Sequence, residues 1–310
     1  MPFLPVGGQA VIEGVMMRSP SRIAVAVRRP DGSIEVMERP FRSITAAHRL
    51  LRLPVVRGAV SLFETLYVGI TALNWSAEEA TRDAPAPVAR GSATLSALQG
   101  VMLLASLALG LLLFVVLPAR LTGWLGFHDR MSFGLVDGGF RLLFFVLYLV
   151  LISQWREMAR VLGYHGAEHK AIHALENRAP MTPESVQSFT RFHPRCGTTF
   201  LFVVVLISIA IFTVIGRPTS LGQHLLRIAA MPLIAGVAFE LIRLSGRYAD
   251  RPLVRALTWP GIQFQRLTTR EPDLSMCEVA IAAIERVRTD EAVVRLEHST
   301  EPAGALAFIQ

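Results

Sequence analysis

The chain has 310 residues, 52% of them hydrophobic, with a mean hydropathy of +0.45 and a formal net charge of +7. An ordinary soluble domain carries about 45–50% apolar residues even with glycine included, so the composition points to a protein whose partner is the lipid bilayer. The charge does not point to nucleic acid, because every basic residue except Lys170 is arginine and no basic stripe with interleaved aromatics forms; an anionic inner leaflet accounts for it better.

Residues 1–54 are expected to form an N-terminal cytosolic segment. Its first twenty residues lack a basic stretch ahead of an apolar core and carry Glu13 midway, so they do not resemble a secretory signal. Gly7, Gly8 and Gly14 there permit a turn leading into a sheet, or a backbone-lined pocket offering Gln9 and Glu13. Arg22 to Arg29 and Ser33 to Glu38 flank Asp31-Gly32 and read as a β-hairpin. Residues 55–95 hold an apolar helix and a linker; Arg57 and Glu64 within 55–75 argue against a full span and predict an interfacial or partly buried amphipathic helix.

Four spans are expected between 96 and 245. Ala97 to Leu117 runs without a charge up to Pro118, long enough for the roughly 20 residues a crossing needs. Arg141 to Trp155, extended back to Gly138, is the second, with Arg141 snorkelling to an interface. Gly197 to Ile215 and Leu225 to Leu244 complete the set. Of the basic residues only Arg120, Arg130, Arg141, Arg217 and Arg227 fall on or near the connections of one side, which by the positive-inside rule makes that side external. Both termini, the 156–197 loop and the 246–310 segment then face the cytosol of an inner membrane. A helix is predicted from about Ser275 to Arg288, with Ser275 and Glu278 spaced as a capping box. The fold class is therefore mainly α: a polytopic bundle of about four transmembrane helices with a small cytosolic α+β layer.

The chemistry concentrates in Tyr164-His165-Gly166-Ala167-Glu168-His169-Lys170-Ala171-Ile172-His173. On a helix His165, His169 and His173 share one face. His165-Gly166-Ala167-Glu168-His169 also fits H-x-x-E-H, in which two histidines bind zinc and the glutamate polarises water. A wet polar helix at a membrane surface is the plain alternative. His193 and Cys196, on the same side of the membrane, are further candidate ligands for a divalent metal such as zinc. Otherwise His193 is a turn residue before Pro194 and Cys196 a small buried residue at a helix entrance. Glu240, costly in hydrocarbon, is either a third ligand or an ion-pair partner of Arg243 or Arg247. Glu176 can hold a histidine tautomer.

GGQAVIEGVMMR, YHGAEHKAIHALE, TRFHPRCGT and PGIQFQRLTTREP followed by CEVAIAA, in that order, resemble the YqhQ-like family of bacterial membrane proteins. These carry a domain of unknown function and are described as predicted metal-dependent enzymes. The resemblance implicates Gln9, Glu13 and Arg18; His165, Glu168, His169, Lys170 and Glu176; His193, Arg195 and Cys196; and Gln263, Thr268, Arg270 and Glu271. His173 falls outside the family pattern.

Two functions follow as expectations. In the first, a membrane hydrolase, His165, His169 and one of His193, Cys196 or Glu240 hold the metal. Glu168 is then the general base, Lys170 and Arg195 are further catalytic candidates, and the substrate is a membrane protein or lipid. In the second, a non-catalytic assembly or quality-control factor, Arg18, Arg195 and Arg270 clamp Glu13, Glu168 and Glu271 into a partner-binding platform. A small transporter is less favoured, because Glu240 is the one clear intramembrane carboxylate.

Overall fold

A computed structural model of the chain describes residues 6–82, 93–127, 129–194, 196–248 and 251–289. Four strands, β1 (Gly7–Val11), β2 (Gly14–Arg18), β3 (Arg22–Arg28) and β4 (Ile34–Pro40), form an antiparallel meander. The expected hairpin is β3–β4. Of the first twenty residues, read as a turn leading into a sheet or as a pocket, Gly7–Val11 and Gly14–Arg18 make a second hairpin whose corner is Glu13, at φ 52°. Arg28 donates its backbone N–H to the Glu13 carbonyl and holds that corner in place.

The remaining elements are helices: α1 (Ile44–Ala47), α2 (Val56–Ala80), α3 (Ala93–Leu111), α4 (Leu117–Trp124), α5 (Arg130–Ser153), α6 (Arg156–Glu176), α7 (Pro183–Gln187), α8 (Gly197–Ile215), α9 (Leu221–Ala229), α10 (Met231–Arg247), α11 (Pro252–Thr268) and α12 (Leu274–Arg288). Both faces of the sheet are covered. Val11, Met16, Val25 and Val27 pack against Ala72 of α2. Val15, Met17, Ala24 and Ala26 pack against α6 and α12, where Tyr164, Ala167, Val279, Ala280 and Ile284 complete a core. Each large apolar side chain buried there contributes about 1.5–3 kcal/mol. This double cover explains the continuous burial along β2 and β3, where a one-sided sheet would alternate.

α12 starts one residue earlier than predicted and is capped differently. Asp273 accepts the Met276 N–H at 2.9 Å, and Glu278 pairs with Arg28 at 2.7 Å in place of the expected capping box.

Among the described residues, five segments are long and apolar enough to cross a membrane: Val56–Ala80, Gly100–Trp124, Arg130–Ser153, Gly197–Ile215 and Leu221–Ser245. The first was expected to be interfacial or partly buried because of its charges. Tertiary contacts satisfy both of them: Glu240 of α10 takes the Arg57 guanidinium, and Glu64 accepts Ser43 Oγ at 2.9 Å.

Nor does Pro118 end its helix. A π-helical turn over Leu112–Val116 carries the chain into α4. Proline has no N–H, so the carbonyl four residues back, on Phe114, is left without a helical donor; Arg141 Nη1 supplies one at 2.8 Å.

Arg141 therefore does not snorkel. It is buried with Asp137 at 3.1 Å, and Arg227 joins the same carboxylate at 3.3 Å while donating to the Gly216 carbonyl at 2.8 Å. Asp137 escaped the sequence reading because α5 begins a full two turns before the expected span. α11, not foreseen as a helix, packs on α8 through Gly261, where an added Cβ would lie 2.8 Å from Thr199 Cγ2.

Candidate metal centre

The centre is built on α6. Its middle, from Leu162 to Ile172, is buried apart from the half-buried His165, so it is not a wet surface helix. Two glycines let neighbours come close. At Gly163 the Met276 sulfur would sit 2.8 Å from an added Cβ, and at Gly166 the Arg270 carbonyl oxygen would sit 2.1 Å away.

His165 and His169 are oriented the same way. Nδ1–H of His165 donates to the Thr268 carbonyl at 2.7 Å, and Nδ1–H of His169 to the Arg191 carbonyl at 2.6 Å. A carbonyl can only accept, which fixes the neutral tautomer and leaves both Nε2 lone pairs for another partner. His165 Nε2 lies 3.2 Å from Cys196 Sγ. His169 Nε2 is buried with no hydrogen-bond partner among the described residues. One ligand-type atom from each of His165, His169 and Cys196 lies within 4.8 Å of the other two.

Cys196 is the N-cap of α8, and its sulfur accepts the Thr198 N–H at 3.4 Å. Burial opposes its ionisation, but the neighbouring His169 and Thr198 outweigh it and hold the thiol below its ordinary pKa. Burial pushes His169 down, towards the neutral ring. Two imidazoles tied through Nδ1 to backbone carbonyls and a cysteine whose thiol is held below its ordinary pKa are the donor types zinc takes at about 2.0–2.3 Å, so the residues fit such an ion.

Glu168 lies against β1: an added Cβ on Gly8 would meet its Cγ and Cδ at 2.9 Å. Burial raises its pKa to about 7, opposed by His165 and by a hydrogen bond from the Gly8 backbone. Its Oε2 is buried and without a partner among the described residues.

His193 is not in this trio. With His173 and Glu176 it makes a second group whose ligand-type atoms also lie within 4.8 Å of one another, its Nε2 3.4 Å from Glu176 Oε2. Burial pushes the His193 pKa down to about 4. His173, the histidine outside the family pattern, belongs here too, its Nε2 2.9 Å from the Phe192 carbonyl. The two groups adjoin, with the His169 and His193 rings 5.7 Å apart.

Gln265, which the sequence reading passed over for Gln263, holds the His193 backbone on both sides. Its Oε1 accepts the His193 N–H at 2.8 Å and its Nε2 donates to the His193 carbonyl at 2.6 Å. A buried glutamine on an apolar helix face was the available signal. Gln263 bonds Arg266 at the surface.

The other expected residues are distributed around the centre. Glu240 is not a ligand neighbour; it pairs with Arg57, not with Arg243 or Arg247, and accepts the Val55 N–H. Lys170 is buried, donating to the Gln187 and Phe189 carbonyls at 2.7 Å and pairing with Glu271 at 2.5 Å. Glu13 pairs with Arg160, Arg18 stacks over Phe41 at 3.9 Å, and Arg270 donates to the Ser153 carbonyl. The expected Arg18 and Arg270 clamps on Glu13, Glu168 and Glu271 are therefore replaced by other pairings. Gln9 abuts Gly69 of α2, where its Oε1 would lie 2.5 Å from an added Cβ, and not the histidines. Arg195 lies outside the described residues. A separate cavity of about 500 Å³, lined by Arg120, Arg217 and His224, sits at the far end of α8.

Residues 53–290 match a family described as proteins of unknown function, DUF1385. The chain belongs to that family. It is also 30% identical over 297 residues to the uncharacterized protein YqhQ of Bacillus subtilis strain 168, an alignment covering 93% of each chain. No solved structure matches. The family match leaves out the N-terminal sheet, whereas the alignment with YqhQ is long enough to reach into it, and the sheet is what presses Gly8 onto Glu168.

Proposed function

We propose that this chain is a membrane-embedded, metal-dependent hydrolase whose reaction centre is His165, His169, Cys196 and Glu168. The observation that carries the reading is that His165 and His169, each tied through Nδ1 to a backbone carbonyl, bring a ligand-type atom within 4.8 Å of one another and of the Cys196 sulfur, next to a buried Glu168 oxygen left without a partner among the described residues. Three protein donors leave one position of a tetrahedral site open, the pattern of catalytic rather than structural zinc. A zinc ion bound there would supply Lewis-acid polarisation of a carbonyl or phosphoryl group and a lowered pKa for water.

The chain's own residues do the rest. The Thr268 and Arg191 carbonyls keep both rings turned inward, and Cys196, its thiol held below its ordinary pKa, offers the sulfur donor. Gly8 N–H fixes the Glu168 carboxylate, leaving Oε2 to take a proton. A carboxylate with a pKa of about 7 is suited to general-base work near neutral pH. The five apolar segments support a membrane location, and the arginine distribution supports a cytosolic centre and cytosolic termini.

Metal analysis of the detergent-purified protein tests the proposal. About one equivalent is expected in the wild type, and far less in His165→Ala/His169→Ala and in Cys196→Ser. Equal metal in all three would sink the reading.

A further inference from the structure

Beside the histidine centre lies a cleft of about 540 Å³ lined by Ser153, Gln154, Arg191, Arg266, Leu267, Thr269, Arg270 and Glu271. Its wall is continuous with the shell of the centre. Arg191 contributes the carbonyl that holds His169, and Leu267 and Thr269 flank Thr268, whose carbonyl holds His165.

Three arginines line the cleft against one carboxylate, and that carboxylate, Glu271, is already paired with the buried Lys170 at 2.5 Å. Among the described residues, Arg266 spends its Nε on Gln263, and Arg270 one Nη on the Ser153 carbonyl. A guanidinium has five donors, so most of the fork on each remains for a ligand. Arg191 and Arg266 both lie against Phe192, their guanidinium carbons 5.2 and 5.8 Å from its ring centroid. Three guanidinium groups lining one cleft suit the several oxygens of a phosphate, which arginine grips bidentately.

The cleft also has an apolar approach. Ser153 and Gln154 lie at the end of α5, whose last turns expose Leu147, Leu151 and the adjoining Trp155. An exposed tryptophan at the end of an apolar helix marks the headgroup level of a bilayer.

We infer that this cleft binds a phosphate ester, and that the ester belongs to a membrane amphiphile whose chains lie along Leu147 and Leu151. This deepens the hydrolase proposal by naming its substrate class as an anionic phospholipid or a related lipid phosphate. It rests on that proposal for the fate of the ligand, but not for the binding.

The experiment measures binding of short-chain phosphatidylglycerol, short-chain phosphatidylcholine, glycerol 3-phosphate and inorganic phosphate to the full-length detergent-solubilised protein. Wild type, Arg191→Gln/Arg266→Gln and Arg191→Lys/Arg266→Lys are compared, each with and without a chelator. Phosphatidylglycerol should bind the wild type at least about tenfold more tightly than it binds the glutamine variant, since a charge-assisted bond is worth a factor of ten or more. The lysine variant should fall in between. Binding should survive chelation, and phosphatidylcholine should bind more weakly than phosphatidylglycerol. Equal phosphatidylglycerol binding in all three proteins overturns the inference. Glycerol 3-phosphate or inorganic phosphate binding as tightly as the lipid overturns the lipid source. Failure of the metal proposal would register as metal-free wild type, with these binding results unaffected.

Discussion

Gly166→Ala sets two opposite forces against each other. In the middle of an exposed helix the change stabilises by about 1 kcal/mol. Here the new methyl would lie 2.1 Å from the Arg270 carbonyl oxygen, whereas ordinary contact begins near 3.4 Å. The obstacle is backbone, so the 268–272 segment must move by more than about 1 Å. Overpacking of this kind costs about 1–3 kcal/mol.

The same movement strains the Arg270 N–H bond to the Leu162 carbonyl, at 2.8 Å, and the His165 bond to the Thr268 carbonyl. Each is worth about 1 kcal/mol. The clash wins, with a net destabilisation of about 2–4 kcal/mol, and His165 loses the carbonyl that sets its tautomer. Thermal unfolding in detergent should show a Tm lower by roughly 3–6 °C for a chain of 310 residues, and metal content should fall with it. Gly139→Ala on α5, with open space around the added Cβ, is the control and should be neutral or slightly stabilising. A Gly166→Ala protein as stable and as metal-loaded as the wild type would refute the close approach and the role given to the Thr268 carbonyl.

Asp137→Asn should cost about 3–5 kcal/mol, because it leaves Arg141 and Arg227 buried without their shared carboxylate. Arg227→Met, which keeps the Asp137–Arg141 pair, should cost clearly less in the same unfolding assay, and the reverse order would contradict the cluster. Lys170→Met should lower stability by about 2–4 kcal/mol by stranding the Gln187 and Phe189 carbonyls, with metal content retained; loss of the metal would return Lys170 to the reaction centre. Glu168→Asp should retain metal yet fail to complement a deletion strain, since a shift of about 1 Å in a general base costs on the order of 100-fold. Full complementation would favour the non-catalytic platform.

Local pattern was enough for some of this. The β3–β4 hairpin declared itself through Asp31-Gly32 between short alternating runs, and the apolar segments through length and lack of charge. H-x-x-E-H put the centre on α6. Charges and a proline read in isolation carried less than their partners. Arg57, the charge weighed against a crossing helix, is paired with Glu240, a contact between elements that local sequence does not record. Pro118 argued for a helix end until Arg141 was seen to satisfy the carbonyl it strands.

By itself, then, the sequence determined the mainly helical class, the apolar segments and the residue types of the candidate metal centre, because these depend on periodicity and composition along a few turns of chain. Only the tertiary structure decided which residues meet. It joined Cys196 to His165 and His169, placed His193 with His173 and Glu176, sent Glu240 to Arg57, and made Gln265 the brace of the His193 loop. The physical reason lies in the carbonyls of Thr268 and Arg191. Far from α6 in sequence, they fix which nitrogen of each histidine points inward, and no local pattern records that.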